Sequence, residues 1–445
     1  MAISRRDIFK LSALAAASAA FASSDDKEDK IPERLKIKKA PLSKPKGPRV
    51  VIVGGGWSGL TIAKYLKKQS PKSDVVLIEK RTHFFSCPLS NLWLVDAVNL
   101  EFLTHDYLQA ARNNSYYYLN ATVYDIDRVS KKVFTNEGYV DYDYLVLSPG
   151  IDYDYSGWTK GDTELENRLR TEYPAAFIPG SEHMSLKTKL LDFEEGNFVM
   201  TVPGGNYRCL PAPYERACMM AHFMKNEGIK GKVILLDENP NFTIKADGFG
   251  SAFKELYKDY IEYLPGTKIT SIDIDNKRIE TELGEEIDFT DASLYPHIRG
   301  SKLLEIAGVA KDSLFNRAEA DIDPFTYQVK GDPYVFCAGD VRPMGFSKSG
   351  NTANSEGRYV AKVIASRIEG KDVKWQSPMT VCYSAITVDP IRAISVNAGY
   401  TYDKKKKTFS FHNASTMERW NTKDGLQAGK RMFEWAKGMY RDMFL

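Results

Sequence analysis

The sequence predicts an α/β protein with two dinucleotide-binding-type domains and a small α+β domain at the carboxyl end. Three observations support this class. An apolar strand enters a glycine-rich turn near residue 54, a second strand–helix–strand pattern spans residues 197–239, and strand-like segments followed by an amphipathic helix come after residue 379. A chain of 445 residues is long enough for two or three such domains.

Charge and cysteine content exclude several classes of protein. With 61 basic and 58 acidic side chains the net charge is only +3, which lacks the basic bias of nucleic-acid-binding domains. The five cysteines are odd in number and widely scattered, so they do not indicate a disulfide framework. The six histidines have no metal-ligand spacing and no CxxCH motif occurs. We therefore expect neither a metal site nor a haem attached to this chain.

The first residues are typical of a twin-arginine export signal. Arg5 and Arg6 precede a short Ala-rich apolar run and a small-residue site at residues 20–22. We expect a signal peptide at residues 1–22, a solvated linker at residues 23–48 and a mature protein in the periplasm. The alternative is a short membrane anchor, but the run is well under the roughly 20 residues of a spanning helix, and no later run reaches that length.

The stretch RVVIVGGGWSGLTIAKYLKKQSPKSDVVLIEK begins the first dinucleotide-binding unit. Gly54, Gly56 and Gly59 form G-x-G-x-x-G between an apolar strand and a helix, and Glu79 ends the next strand. In this motif the glycines permit a tight turn, close approach of a pyrophosphate and close packing of helix on strand. Glu79 would bind a ribose diol of FAD or NAD. The alternative is a glycine-rich turn without a ligand.

Two further strands end in glycine turns. They are YDYLVLSPG, which ends at Gly150, and PYVFCAGDV, which contains Gly339 and Asp340. Because the second of them returns late in the chain, we infer a dinucleotide-binding domain that is interrupted and later resumed. Its predicted parts are residues 49–157 and 319–376, and FAD fits this organisation better than NAD.

Residues 158–318 are predicted to form a second nucleotide-like domain. NFVMTVPGG and KVILLDEN predict two strands, with a helix around residues 217–227 between them. The first strand leads into PGGNYRCLPAP, which lacks G-x-G-x-x-G and is rich in proline. We therefore expect no second dinucleotide at this turn.

Residues 377–445 are predicted to form a third, smaller domain. ISVNAGYTYD and KTFSFHNA predict a hairpin whose tip, Lys404–Lys407, is solvated. The last helix, GLQAGKRMFEWAKGMYRDMFL, concentrates apolar side chains. We interpret it as a helix that faces the protein's own core. A helix that docks on a membrane or on a partner is the alternative.

Several segments carry a resemblance to one protein family. They are VIVGGGWSGLTIAKYL, CPLSN, YRCLPAPYERA, KVILLD, AGDV, SKSGNTANSEG, CYS at Cys382 and the aromatic, basic carboxyl terminus. With these motifs the chain resembles the flavoprotein subunit of flavocytochrome c sulfide dehydrogenase, a relative of the sulfide:quinone oxidoreductases. The resemblance implies a glutathione-reductase-type fold, bound FAD, a small sulfur substrate and a c-type cytochrome partner at the third domain.

The resemblance also suggests a role for Cys87. In the flavocytochrome members, the cysteine of the CPLSN-like segment is bonded to the flavin through its 8α methyl group, and Cys87 stands at that position. This implies a covalent FAD. The alternative is a small buried cysteine beside a noncovalent flavin, because the quinone-linked relatives lack the bond.

Cys209, in YRCLPAPYERA, matches the redox cysteine that the family places over the flavin. Sulfide forms a persulfide only with a disulfide or an oxidised thiol, and the family uses two cysteines beside the flavin for this chemistry. Arg208 and Arg216 would lower the pKa of the Cys209 thiol if they lie close to it.

The partner of Cys209 is not evident from the sequence. We expect the family's second redox cysteine just after the Gly-Asp pair, where this chain has Arg342. Cys337 is the nearest substitute, and a bridge would need its Cα within about 7 Å of that of Cys209. Cys218 is expected to be inert helix packing. Either Cys209 acts alone, or Arg342 supplies a fixed cation for an oxyanion or carboxylate.

Lys348, in the SKSG turn, would add to that positive charge near the flavin. An ordinary surface lysine is the alternative. We thus expect a periplasmic FAD oxidoreductase with Cys209, Lys348 and Arg342 at its catalytic site, which oxidises sulfide or a related small sulfur compound and reduces a c-type cytochrome. The alternative hypotheses are a pyridine-nucleotide-dependent flavin reductase, another non-sulfide flavin oxidoreductase and an electron-relay flavoprotein subunit.

Overall fold

The computed structural model describes residues 37–445. The predicted signal peptide and the first part of the predicted linker, residues 23–36, lie outside the described residues. No helix in the described part of the chain has both the length and the hydropathy to cross a membrane.

The end of the predicted linker differs from the expectation. Lys39 forms a parallel bridge with Tyr139, the Ala40 amide donates to the Tyr139 carbonyl at 2.9 Å, and Ala40 is buried. Lys39 also makes an ion pair of 2.6 Å with Asp141. Residues 39–48 thus pack on the first domain, because backbone pairing there needs no apolar periodicity in the sequence.

The first domain contains an all-parallel five-stranded sheet. In spatial order its strands are Val335–Cys337, Tyr144–Leu147, Arg49–Val53, Asp74–Glu79 and Tyr117–Asn120. The central strands are apolar and buried, as is typical of parallel strands in an α/β protein. The strand near residue 335 completes the sheet that begins at residue 49, so segments from both ends of the chain form one sheet.

Helices and short strands surround this sheet. The helices Trp57–Gln69 and Gly350–Ile368 pack against each other, with the Asn354 side chain donating to the Thr61 hydroxyl at 2.8 Å. The remaining helices before the strand Glu195–Val202 are Ser90–Leu94, Leu100–Leu103, Tyr107–Asn114, Ser156–Thr159, Thr163–Glu172 and Ser181–Leu191. The remaining strands there are His83–Phe85, Thr104–Asp106, Val123–Asp127, Lys132–Thr135, Gly138–Asp141 and Ile151–Asp154.

The central domain has a second parallel sheet. Its strands, in spatial order, are Ile261–Pro265, Lys230–Asp237, Glu195–Val202 and Asp291–Ser293. The helix Ala212–Glu227 connects the two middle strands and begins earlier than the sequence pattern predicts, because Pro211 and Pro213 fit the first turn of a helix. The other helices up to the 3₁₀ turn Gly339–Val341 are Ala246–Glu255 and Lys302–Ile306. The other strands there are Ile269–Asp273, Arg278–Thr281, Glu286–Asp288, His297–Gly300, Ala310–Lys311 and Glu319–Ala320.

The third domain is an antiparallel sheet followed by one long helix. The strands Thr380–Thr387, Arg392–Asp403 and Thr408–Met417 are ordered sequentially, and the lysine-rich segment is the exposed turn between the last two. The helix Lys423–Phe444 buries one face. Its Tyr440 and Phe444 rings pack against His105 with centroids 4.4 and 4.7 Å away. The helix therefore faces the protein's own core, and the α/β class with two dinucleotide-binding-type domains is confirmed.

Candidate active site

The glycine-rich turn has the backbone geometry of a phosphate cradle. Gly54 has a φ of +105°, and a Cβ there would lie 2.2 Å from the Ser148 carbonyl oxygen. A Cβ on Gly59 would lie 1.9 Å from the Gly54 oxygen, so helix and strand approach closely only without a side chain. Gly56 is different, because a Cβ there would meet nothing within 4 Å. That open space, at the beginning of a helix, is where a pyrophosphate fits.

Glu79 closes the nucleotide end of this cradle. Its carboxylate accepts hydrogen bonds from the Gly55 amide at 2.8 Å and the Arg81 amide at 3.0 Å. The side chain is mostly buried and lines a cleft together with Gly54 and Thr122. An acid held at the end of the second strand in this way has the position needed to bind a ribose hydroxyl pair.

The Gly339-Asp340 turn lies beside the same domain's sheet. Gly339 has a φ of +80°, and Asp340 is almost completely buried. Asp340 Oδ2 lies 3.2 Å from Arg208 Nε, whereas Oδ1 accepts no hydrogen bond from the described residues and lies 3.7 Å from Arg342 Nη1. A buried carboxylate oxygen without a donor indicates a missing polar group, and a hydroxyl of the FAD chain would fill this role. Gly150, at the end of a neighbouring strand, has a φ of +81° and open space at its Cα.

A second cavity contains three of the five cysteines. Cys87 comes from the loop after the strand His83–Phe85, Cys209 from the turn before the central helix, and Cys382 from the first strand of the third domain. Segments of the first, central and third domains therefore meet at this cavity. Its charged lining residues are Arg208, Glu215, Arg216 and Lys348, and the indole of Trp435 covers another side. All five cysteines lie in the described part of the chain and are free thiols.

Cys87 is held at the cavity wall. Its sulfur lies 3.7 Å from the Phe177 carbonyl oxygen. Burial raises the pKa of the Cys87 thiol, and the nearby Arg208 and Arg81 oppose that rise. The position is compatible with a bond to a flavin in the cavity, and the tether stays a prediction.

Cys209 and Cys382 both line this cavity. Cys209 has a strained φ of +59° and donates its amide to the Lys348 carbonyl at 2.9 Å, which fixes the turn. Burial raises the pKa of the Cys209 thiol well above its usual range, and Cys382 and Glu215 raise it further. Burial also raises the pKa of Cys382, against the lowering effect of Lys245. Cys382 lies in one of the segments that carry the family resemblance, but no role was predicted for it from the sequence.

The structure does not support Cys337 as the partner of Cys209. Cys337 is fully buried in the strand Val335–Cys337, where its amide donates to the Tyr327 carbonyl at 2.9 Å, and it does not line the cavity. Its place is set by the first sheet, next to Leu147. Cys218 is fully buried in the central helix, in agreement with a packing role. The second thiol at the cavity is Cys382.

Arg342 does not provide an anion site at the cavity. Its side chain is completely buried, with Nε 3.0 Å from the Glu356 carboxylate. The guanidinium also donates to the Gly339 carbonyl at 2.8 Å and the Ser347 carbonyl at 2.7 Å. The charge is therefore neutralised inside the protein, and Arg342 holds the Gly339 turn instead of a substrate.

Lys348 lines the cavity but is neither a surface lysine nor a free cation. Its side chain is completely buried, and Nζ lies 2.7 Å from the Glu319 carboxylate. Nζ also donates to the carbonyl oxygens of Asp340 and Arg342 at 2.6 and 3.1 Å. The lysine thus links the cavity wall to the Gly-Asp turn.

Two charged residues near Cys209 and Cys382, Glu215 and Lys245, had no role predicted from the sequence. Glu215 accepts hydrogen bonds from the Ala385 amide at 2.8 Å and the Asn91 side chain at 3.0 Å, and burial raises its pKa. Lys245 lies beside Cys382 although the two are 137 residues apart in sequence. Glu215 belongs to the quoted YRCLPAPYERA segment, which was the available signal for it. No sequence motif marks Lys245.

Family models match each of the three domains of this chain. The family model for the central domain of the sulfide dehydrogenase [flavocytochrome c] flavoprotein chain matches residues 184–294. The model for the flavin-binding domain of flavocytochrome c sulphide dehydrogenase matches residues 376–444, and the pyridine nucleotide-disulphide oxidoreductase model matches residues 48–173. The three matches lie in the central, third and first domains of this chain in turn.

Three individual proteins are similar to this chain. The sulfide dehydrogenase flavoprotein chain of Chlorobaculum thiosulfatiphilum is 54% identical over 43 residues, which are 10% of this chain and 90% of that one. A type II NADH:quinone oxidoreductase of Staphylococcus saprophyticus is 23% identical over 360 residues, 75% of this chain and 87% of the relative. The solved sulfide:quinone oxidoreductase of Aquifex aeolicus superposes with a TM-score of 0.70 at 16% identity, covering 89% of this chain and 92% of that structure, and so shows the shared fold.

Proposed function

This chain belongs to the flavoprotein family of flavocytochrome c sulfide dehydrogenase, and we propose that it oxidises sulfide, or a related small sulfur compound, at the cavity of Cys209 and Cys382. FAD is its cofactor. The glycine cradle and Glu79 would hold the adenosine diphosphate, Asp340 would bind the linking chain, and the ring system would lie in the cysteine-lined cavity. When bound, FAD supplies the two-electron acceptor of the reaction.

One observation carries this proposal: Cys209 and Cys382, two of the three partly exposed thiols of the cavity that would hold the flavin ring, come from different domains. Two cysteines in the disulfide state give sulfide an electrophilic sulfur to attack. Hydrosulfide then bonds to one cysteine sulfur as a persulfide, and the bond between the two cysteines breaks to leave a thiolate on the other.

We further propose that the electrons pass to a c-type cytochrome in the periplasm. Support for the acceptor comes from the family, whose name joins the flavoprotein to a cytochrome, and support for the location comes from the twin-arginine pattern of the sequence. Trp435 is a suitable contact for an acceptor, because it lines the cavity and remains partly exposed. Its ring lies 6.5 Å from Trp57 and 6.1 Å from Tyr383.

A flavin reductase that uses a pyridine nucleotide is the second candidate, and one contact favours it. In the central domain the Glu238 carboxylate accepts the Gly204 amide at 3.0 Å, which repeats the Glu79–Gly55 contact of the first domain. His297 Nε2, however, lies 2.6 Å from the same carboxylate. The turn that follows has two prolines and the fixed Cys209 backbone where a pyrophosphate would lie. Anaerobic addition of NADH or NADPH to the oxidised protein separates the two candidates.

The test is an anaerobic sulfide titration of the flavin absorbance. Sulfide should bleach the wild-type flavin within seconds, while Cys209→Ser and Cys382→Ser should each slow bleaching by at least about a hundredfold, because each removes one sulfur of the disulfide. Cys218→Ala is the matched control, since that thiol is buried in the central helix. No bleaching of the wild type would reject sulfide as substrate. If the protein then copurified with a haem protein, it would be an electron-relay subunit.

A further inference from the structure

A buried lysine faces the second thiol of the cavity. Lys245 Nζ lies 3.9 Å from Cys382 Sγ and donates to the Ser384 hydroxyl at 2.7 Å. Only 3% of the lysine is exposed. We propose that Lys245 is a further catalytic residue of this site, whose ammonium group stabilises a thiolate on Cys382. The inference rests on the proposed function and extends it, because it assigns different roles to the two cysteines.

The surroundings of Lys245 leave the cation without a carboxylate partner. Within the described part of the chain, no acidic oxygen lies at ion-pair distance from Nζ, although every other fully or almost fully buried lysine or arginine discussed above is paired or bonded to several carbonyls. A buried ammonium is costly unless an anion or hydrogen-bond acceptors compensate it. The Ser384 hydroxyl accepts one hydrogen bond, and the Cys382 sulfur is the group in direct contact with Nζ that can become an anion, whereas Glu215 and Cys209 act on Lys245 from beyond contact distance.

Lys245 is held in place by the backbone as well as by its contacts. It precedes the helix Ala246–Glu255 and has a φ of +54°, in the left-handed region that non-glycine residues seldom adopt. From this position the ammonium reaches from the central domain to Cys382 and Ser384 in the first strand of the third domain.

Other charged groups around Cys382 do not replace Lys245. Glu215, on the central helix, raises the pKa of the Cys382 thiol, and both of its carboxylate oxygens accept hydrogen bonds from other residues. The last helix contributes Arg431 and Glu434, which act on the adjacent Tyr383 with opposite signs. Cys209 faces the pair from the turn before the central helix. Lys245 is thus the cation nearest to the Cys382 sulfur.

The position of this cation favours one of the two cysteine sulfurs as the point of attack. Thiol–disulfide exchange is faster when the leaving sulfur is the more stable thiolate. Hydrosulfide therefore attacks Cys209, a sulfur–sulfur bond forms there to give Cys209–S–SH, and the bond to Cys382 breaks with its electron pair on Cys382. The reactants and products carry the same single negative charge. The electron pair stays next to Lys245 until it is passed on.

The test measures the reactivity of each thiol without using sulfide. The full-length, FAD-loaded protein is reduced, desalted anaerobically and treated with iodoacetamide between pH 6 and pH 10, and alkylation of Cys382 and Cys209 is followed by peptide mass spectrometry. The neutral variants Lys245→Met and Lys245→Gln are compared with Lys245→Arg, which keeps the charge. Lys254→Met, at an exposed position of the next helix, controls for the loss of one positive charge.

Both neutral variants should move the pH midpoint of Cys382 alkylation upward by about one unit, because an opposite charge at this range shifts a pKa by roughly one to three units. The Arg variant and Lys254→Met should keep the wild-type midpoint, and Cys209 should shift less than Cys382. An unchanged Cys382 midpoint in both neutral variants, a larger shift at Cys209, or a wild-type Cys382 that is unreactive throughout would each overturn the role of Lys245. Sulfide is absent from this assay, so these outcomes are independent of a failed sulfide titration.

Discussion

Arg342 and Glu356 form an ion pair in which Nε lies 3.0 Å from the carboxylate and neither side chain is exposed to solvent. Glu356 also accepts the Gly339 amide, so the pair fixes the turn that carries Asp340. A charged residue that looks like a substrate-binding group in the sequence therefore has a structural role. Testable predictions concern Arg342, His105, the glycines of the phosphate cradle and Cys87.

Removing Arg342 should destabilise the protein. Arg342→Met leaves Glu356 buried and unpaired, and we expect the free energy of unfolding in urea at pH 8 to fall by about 3 to 5 kcal/mol. The control is Arg278→Met, which breaks an exposed pair with Glu286 and Asp288 and should cost under about 1 kcal/mol. If Arg342→Met had wild-type stability but bound sulfide more weakly, Arg342 would be a substrate-binding residue and not a structural one.

Stability should fall in mild acid because of His105. Its ring is packed against Tyr440 and Phe444, and burial lowers its pKa to about 4 from the usual 6.5. A depressed pKa means that the contribution of His105 is complete above pH 6.5 and is lost as the pH falls from 6.5 towards 4. Because the ring is only partly buried and solvent screens part of the effect, this loss should be about 1 kcal/mol between pH 7.5 and pH 5.

The measurement for His105 is urea unfolding at those two pH values, for wild type and for His105→Phe. The phenylalanine keeps an aromatic ring in the site but cannot bind a proton. The two proteins should differ in the size of their acid destabilisation by that same amount, while other titrating groups act equally in both. Equal acid destabilisation of the two proteins would show that His105 is not the group responsible.

Two glycines of the phosphate cradle should respond differently to alanine. Gly56→Ala should fold normally, because its Cβ meets no protein atom, but it should retain at most about a tenth of the wild-type flavin, because the Cβ occupies the space of the pyrophosphate. Gly59→Ala should lose stability as well, since its Cβ would collide with the Gly54 carbonyl oxygen. The flavin-to-protein ratio and the urea midpoint separate the two effects. Full flavin content in Gly56→Ala would place the phosphates elsewhere.

Cys87 should retain the flavin after denaturation. In wild type we expect the yellow colour to stay with the acid-precipitated protein, because Cys87 lines the flavin cavity and has no disulfide partner. Cys87→Ser should release the flavin into the supernatant. Cys209→Ser is the matched control, since it removes a thiol of the same cavity without affecting the tether. Flavin in the wild-type supernatant would mean that binding is noncovalent.

Much of the fold could be predicted from the sequence, because its signals are local. The strand–turn–helix–strand pattern around Gly54, the acid at residue 79, the strands on either side of residue 215 and the final amphipathic helix all have short-range periodicity that specifies their structure. Residues 39–48 were missed as part of the folded domain, because one backbone bridge to Tyr139 and an ion pair hold them and no periodic pattern does.

The sequence by itself determined the α/β class and the glycine cradle, because each depends on residues that are neighbours in the chain, and the family resemblance predicted a redox role for Cys209. Only the tertiary structure decided which groups surround Cys209. Cys382, from the third domain, lines the cavity, and Lys245, from the central domain, lies 3.9 Å from its sulfur, while Cys337 stays in the first sheet and Arg342 pairs with Glu356. The physical reason is that charge pairing and burial depend on distances between segments far apart in sequence, which local patterns do not encode.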